Sequence, residues 1–398
     1  MSEGSALARE PDRPLPLSRH YLDHASTTPL RNGARTAMAD FAAEGLVGDP
    51  SRVGTEARLL RGLLEQARAE VADFLGASPR EVIFTSGASE SIAAAHFGAW
   101  RAAPSRAVIA AAVEHSSVRG SAALFRETLS LEVDRLGRID LDHLARLLSG
   151  AGTHGPCLVN CQWANHEVGT VQPVAEAAAL CAGHDVLLHV DAAQAVGHIP
   201  VDFDSSGIDL LSLSAHKFGG PVGIGALVVR RGVRLEPLHP GASQERGRRA
   251  GLENICAAVG FAGACRELST GERFCHEQER ARHQTEEVVR IAQSLEGVTI
   301  LGDRRDRVPH LVCMAIDGVE PEAVLLELDR QGITVHSGSA CSSEILEPSP
   351  VLLAMGVGAD RSLRVSVGWT TTSADIEAFG AALFRAISEL RSLGQLRG

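Results

Sequence analysis

The 398-residue chain is 44% hydrophobic, holds 40 glycines and is only 4% aromatic. That is enough apolar sequence for a large core plus a second, smaller domain, in the texture of an α/β enzyme rather than of a repeat or fibrous protein. A net charge of −11 excludes a nucleic-acid surface of the simple electrostatic kind and leaves Arg246, Arg248 and Arg249 as the obvious local basic patch.

No apolar run is long enough to span a bilayer, and no secretory or lipidation signal is recognisable, so a cytoplasmic protein with no membrane partner is expected. Residues 1–18 are rich in proline and charge without an apolar face and read as a disordered leader. The ordered chain is predicted to begin at Tyr21-Leu22-Asp23, followed by a polar turn, His24 to Thr28, that ends in Pro29. From Gly33 to Leu75 the pattern is largely helical, interrupted near Gly48-Asp49-Pro50.

Short apolar runs then alternate with helical stretches. Val82 to Thr85 runs into Ser86-Gly87-Ala88-Ser89-Glu90-Ser91; a strand that ends in small residues and opens a helix leaves backbone N–H groups free for an anion, although an ordinary capped turn reads the same way. Val108 to Ala112 ends at Glu114-His115, Leu158 to Asn160 leads to Asn165-His166-Glu167, and the strand from Val186 ends at Asp191 and Gln194. Leu210 to Ser214 ends at His216 and Lys217, and Ala226 to Val229 follows a glycine-rich turn. Buried runs of this kind predict a mostly parallel sheet covered on both faces, with the polar groups at the edge where open α/β sheets bind ligands. Beyond about Gly260 the texture changes: 263–295 reads as one long charged helix, and short strands alternate with helices at 320–331 and 373–391.

Two residues stand apart from this pattern. Lys217 is the sole lysine among the 38 Lys+Arg residues. An arginine carries charge but cannot lose its proton to attack a carbonyl, so one position has kept an amine. Cys341 sits in Ser337-Gly338-Ser339-Ala340-Cys341-Ser342-Ser343, a small, polar loop sequence unlike the apolar surroundings of a buried structural thiol. The eight cysteines include no C-x-x-C pair, so no metal site is expected; Cys157 and Cys161 lie in an apolar strand pattern and read as core.

Taken in order, Y-L-D-H-A-S-T-T-P, T-S-G-A-S-E-S, E-H-S-S-V, H-V-D-A-A-Q, S-A-H-K, G-I-G-A-L, E-R-G-R-R-A-G, S-G-S-A-C-S-S and S-L-R-V-S-V-G resemble the cysteine desulfurases, pyridoxal-phosphate enzymes of the class V aminotransferase group. The resemblance runs from about Tyr21 to Leu390, and the short spacing from Cys341 to Glu347-Pro348-Ser349 is similar to the NifS/IscS-like branch. It implies a fold-type I transferase: a large pyridoxal-phosphate-binding domain, residues 33–262, with a mostly parallel seven-stranded sheet, and a smaller α+β domain from 19–32 and 263–398.

By the same resemblance Lys217 forms the Schiff base with pyridoxal 5′-phosphate, Asp191 holds the pyridinium nitrogen protonated, and Gln194 donates to the phenolic oxygen. His115 stacks on the ring and serves catalysis as a proton shuttle, Ala88, Ser89, Ser214 and His216 cradle the phosphate, and Arg364 clamps the substrate carboxylate. Cys341 takes sulfur from L-cysteine as a persulfide, leaves L-alanine, and passes the sulfur to an acceptor protein; a homodimer is implied. The acceptor's pathway stays open among iron–sulfur assembly, tRNA thiolation and DNA phosphorothioation.

The chain departs from the branch in three places. His166 stands where an asparagine is usual, a position that contacts cofactor and substrate, and is expected to substitute as a donor. Leu252 replaces a threonine whose hydroxyl reaches the phosphate, so one phosphate contact fewer is expected. Asp49 and Arg52 alter the usual G-N-P-S pattern and its following histidine. Selenocysteine lyase, aminotransferase, or a sulfur-relay scaffold with weak turnover are the alternative readings.

Overall fold

The computed structural model describes residues 19–150, 155–337, 348–357 and 362–395. The first half runs β1 (His20–Tyr21), α1 (Asn32–Ala43), α2 (Thr55–Phe74), β2 (Val82–Thr85), α3 (Ala88–Ala102), β3 (Val108–Ala111), α4 (Ser116–Ala122), β4 (Thr128–Leu131), α5 (Leu141–Gly150) and β5 (Leu158–Asn160). It continues through α6 (Val174–Cys181), β6 (Leu187–Asp191), β7 (Leu210–Ser214), β8 (Gly225–Val229) and α7 (Ile255–Ser269). The remainder comprises α8 (Arg273–Gln293), β9 (Val298–Leu301), β10 (Leu311–Ile316), α9 (Pro321–Arg330), β11 (Ile333–Thr334), β12 (His336–Ser337), α10 (Pro350–Ala354), β13 (Ser362–Ser366) and α11 (Ser373–Gln395).

The apolar runs form one seven-stranded sheet in the order β2-β8-β7-β6-β5-β3-β4. Its pairs are parallel except those of β8, which is antiparallel to both β2 and β7. Two reversals cancel, so β2, β3, β5, β6 and β7 all end at the same edge, and every polar turn singled out in the sequence collects there. Residues of β2, β3, β5, β7 and β8 are buried throughout, as a sheet covered on both faces requires. Gly225 lets β8 close against the turn that opens α3: a Cβ there would lie 2.3 Å from the Leu213 carbonyl oxygen and 2.6 Å from the Gly87 Cα.

A second, antiparallel sheet, β12-β13-β10-β9, packs with α8, α9 and α11 around its own core of residues such as Val312, Met314, Leu363 and Phe379. The first described residues join this half: β1 pairs with β11, and Asp23 bridges to Ser366. The expected single helix over 263–295 is instead two, α7 and α8, separated at Thr270-Gly271-Glu272. Gly271 takes φ 59°, a left-handed conformation that ends α7, and Phe261, Ala264, Cys265 and Leu268 of α7 pack with the core of the large sheet.

The E-R-G-R-R-A-G segment is tied down by charge. Glu245 and Arg246 adopt positive φ, 45° and 58°, a conformation that costs on the order of 1–3 kcal/mol per residue and persists only where surrounding contacts impose it. Buried Glu245 accepts from Arg68 at 2.6 and 2.8 Å and from the Phe84 N–H at 3.0 Å, a bidentate pair that supplies that constraint. Arg246 pairs with Glu65 and Arg249 with Glu90, so two of the three arginines of the basic patch are neutralised within the fold. Among the described residues no helix is long and apolar enough to cross a membrane.

Candidate active site

Lys217 ends a short 3-10 turn after β7, and its amine donates to two carbonyls of the turn that follows β1, Ala25 at 2.8 Å and Ser26 at 3.0 Å. Its own carbonyl oxygen accepts from Thr28 Oγ1 at 3.1 Å and lies 3.1 Å from His198 Nε2. The amine is therefore aimed by backbone groups almost two hundred residues away in sequence, on the segment that Asp23 attaches to β13.

Asp191, at the end of β6, is 7% exposed and accepts from the Ala193 N–H at 2.9 Å. Burial raises its carboxyl above the ordinary value, opposed by the nearby positive groups of His115 and Lys217. Gln194 is buried; its amide nitrogen donates to the Ala25 carbonyl at 2.8 Å, and its oxygen faces His310 Nε2 at 3.1 Å. With the Gln194 nitrogen committed to a carbonyl, its oxygen is the acceptor and His310 carries its proton on Nε2.

His115 caps α4, its Nδ1 accepting from the Ser117 N–H at 3.2 Å, and its ring meets His166 edge-on at 5.0 Å. Burial, followed by the charges of His115, Arg364 and Lys217, holds His166 well below the ordinary imidazole value, so it is neutral at neutral pH. Its Nδ1 is buried with no hydrogen-bond partner among the described residues. Asn165 beside it is structural: its side-chain oxygen accepts from the N–H groups of Glu167 and Val168 at 2.8 Å each, and its nitrogen donates to the Val113 carbonyl.

At the start of α3 the Ala88 N–H donates to Ser214 Oγ at 2.7 Å, while Ser89 and Ser117 hydroxyls meet at 3.0 Å. His216 reaches Thr27 at 3.3 Å, and burial lowers its imidazole to about 4. Neutral hydroxyls, a neutral imidazole and a helix N-terminus thus converge from β2, β3 and β7, a donor set suited to phosphate. Leu252 is 61% exposed and lines a cavity with Ser86 and Arg249.

Arg364, on β13, is 1% exposed. Its guanidinium donates to Asp23 at 2.8 Å, Ser26 Oγ at 2.7 Å and the His166 carbonyl at 2.9 Å, while Nε is buried without a described partner. Among the described residues three of its five N–H donors are engaged, which fixes the group and leaves two without a described partner. Cys341 lies outside the described residues; next to that gap, Ser349 donates to buried Glu167 at 2.6 Å.

Several contributors carried no isolated sequence signal. Asp23 and Ser26 hold Arg364, the Ala25 carbonyl joins Lys217 to Gln194, and Glu114 lies buried near Asp191. Burial, with the Asp191 charge second, pushes the Glu114 carboxyl from 4.5 up to about 8. A raised folded-state value means that the native protein binds the extra proton, so this carboxyl favours folding below about 4.5 and progressively opposes it as pH rises to about 8. Glu114→Gln, which cannot ionise, should therefore gain stability relative to the parent across that window, on the order of a few kcal/mol by pH 8. Urea midpoints of the two proteins from pH 5 to 8 check this; parallel profiles would contradict it.

A family model described as aminotransferase class-V matches residues 20–379. A cysteine desulfurase IscS of Dictyoglomus turgidum is 39% identical over 384 residues, covering 94% of this chain and 95% of the relative. This chain belongs to the class-V aminotransferases, in their NifS/IscS-like cysteine desulfurase branch. Among solved structures, a NifS-like protein matches with TM-score 0.86 at 29% identity, covering 94% of this chain and all of that one. SspA, solved in complex with cysteine, matches with TM-score 0.75 at 28% identity, covering 88% of this chain and 99% of its own. The class-V family implies a pyridoxal-phosphate cofactor, and the residues present fit one: a buried carboxylate with one described N–H donor, an orphaned imidazole nitrogen and a turn of hydroxyls and N–H groups surround the amine.

Proposed function

We propose that the protein is a pyridoxal 5′-phosphate-dependent cysteine desulfurase, converting L-cysteine to L-alanine with a persulfide on Cys341 that passes to an acceptor protein, in a cytoplasmic homodimer. The observation that carries this reading is the placement of the chain's one lysine amine at the carboxyl edge of the sheet, among Asp191, His115, His166 and Arg364.

When bound, the cofactor supplies an electron sink that labilises the substrate's Cα–H bond. Lys217 and Asp191 hold its reactive end and ring nitrogen, the α3 turn with Ser214 and His216 receives the phosphate, and neutral His166 offers a nitrogen in place of the usual amide. Arg364 orients the substrate carboxylate with the N–H groups that Asp23, Ser26 and the His166 carbonyl leave available. Lys217, in its amine form, moves the Cα proton. The Cys341 thiolate then attacks the substrate sulfur: the S–S bond forms, the C–S bond breaks, and its electron pair stays with the carbon that takes up a proton to become the alanine methyl group. His115, whose Nδ1 meets Ser117 Oγ at 3.1 Å, assists Lys217 in moving the Cα proton.

The test is turnover of L-cysteine by the purified holoenzyme. L-alanine and sulfur are expected in equal amounts, with one extra sulfur on Cys341 by mass spectrometry before a reductant is added. Amino-group transfer to a keto acid without sulfur release would favour the aminotransferase reading, and no reaction would favour the scaffold. Labelled sulfur leaving Cys341 identifies the acceptor and so decides among iron–sulfur assembly, tRNA thiolation and DNA phosphorothioation.

A further inference from the structure

Outside the active site the second half of the chain encloses a cavity of about 340 Å³ between α8 and the β9–β10 connection. Arg282, Glu286, Val289, Arg290 and Gln293 on α8 recur at helical spacing and so face it together. Arg304 and Arg307 close it from the connection, and Val168, two residues after His166, forms part of a wall.

The charges lining it are unbalanced. Arg290 is paired with Glu287 beside it. Among the described residues Arg282, Arg304 and Arg307 have no ion pair, and Arg307 donates only to the Leu311 carbonyl, at 3.0 Å. One carboxylate, Glu286, stands against these three guanidiniums. An excess of two positive charges around one concavity is contrary to a chain of net charge −11, and Arg307 is half-buried beside Arg282 and Arg304, whose like charges oppose its own. Nearby Asp303 and Asp306 share the single guanidinium of Arg138, which leaves one of their two charges over, but neither carboxylate lines the cavity.

Apart from Gln293 the remaining lining is apolar and includes Val289, Ile300 and Leu311. A concavity of this size with apolar lining and convergent polar groups is the usual form of a small-molecule site. Guanidinium forks match carboxylate and phosphate oxygens alike, but a carboxylate supplies one negative charge, whereas a phosphate monoester carries close to two at neutral pH, equal to the excess in this lining.

We infer that this cavity binds a small organic phosphate monoester, its phosphate among Arg282, Arg304 and Arg307 and its carbon body against the apolar lining. The site is separate from the phosphate cradle at α3, which the holoenzyme fills with its own cofactor.

Calorimetric titration of the holoenzyme with AMP and with phenyl phosphate tests the assignment, with inorganic phosphate and adenosine as controls. At least one ester should bind saturably and more tightly than either control. Arg304→Gln should weaken that binding about tenfold and Glu286→Gln should strengthen it several-fold, shifts typical of charge-assisted contacts. Neither variant touches the desulfuration site, so cysteine turnover should be unchanged and should report an intact fold. Absence of saturable ester binding, inorganic phosphate binding as tightly as both esters, or affinities indifferent to both substitutions would each overturn the proposal.

Discussion

Lys217→Arg is expected to fold, to keep its positive charge, and to lose desulfuration by at least about 10³-fold. The amine has two separable roles. As a donor it ties the end of β7 to the Ala25 and Ser26 carbonyls at 2.8 and 3.0 Å, and a guanidinium can serve those acceptors equally well. As a base and nucleophile it must lose a proton, which arginine does not do. Lys217→Ala removes both roles and should lose activity to a similar extent while still binding pyridoxal phosphate non-covalently, so that borohydride fixes the cofactor to the parent protein but to neither variant. Parallel measurement of alanine formation and of borohydride trapping separates the roles. An arginine variant within tenfold of the parent would show that the lysine is a structural tie, and the proposed proton transfer would have to be reassigned.

The sequence was most informative where a site residue sits one turn beyond its own strand. Asp191, Lys217, His115 and the Ser86–Ser91 turn could be placed at one edge because each is local to a strand end, and parallel strands bring those ends together. The break between α7 and α8 was hidden because Gly271 interrupts neither the charge pattern nor the apolar spacing on either side; its positive φ belongs to the folded backbone. Long-range partners were hidden for a different reason. Arg364 and Asp23 lie 341 positions apart, Arg68 and Glu245 177, and Ser349 and Glu167 182, and nothing in composition or spacing says which carboxylate meets which donor. Gln194 shows the consequence: the motif marks it as a donor, but not that one of its two N–H groups goes to the Ala25 carbonyl, 169 positions away.

Cys341→Ser should bind L-cysteine like the parent yet release sulfur at least about 10³-fold more slowly, with no persulfide formed. Cys157, Cys161, Cys181, Cys265 and Cys313 are buried, and burial raises each thiol above its ordinary value, Cys181 to about 12, so none supplies a thiolate at neutral pH. Cys256 and Cys275 are accessible, but they lie on α7 and α8 and no described hydrogen bond links either to the active-site residues. Cys341 lies outside the described residues, four positions beyond Ser337 of β12, whose neighbour His336 stands opposite Arg364, and eight before Ser349, which donates to Glu167. Cys275→Ser is the matched control and should leave sulfur release unchanged. Sulfide production by Cys341→Ser at the parental rate would move the sulfur-accepting role to another thiol or to solvent, whereas persulfide confined to position 341 in the parent fixes it there.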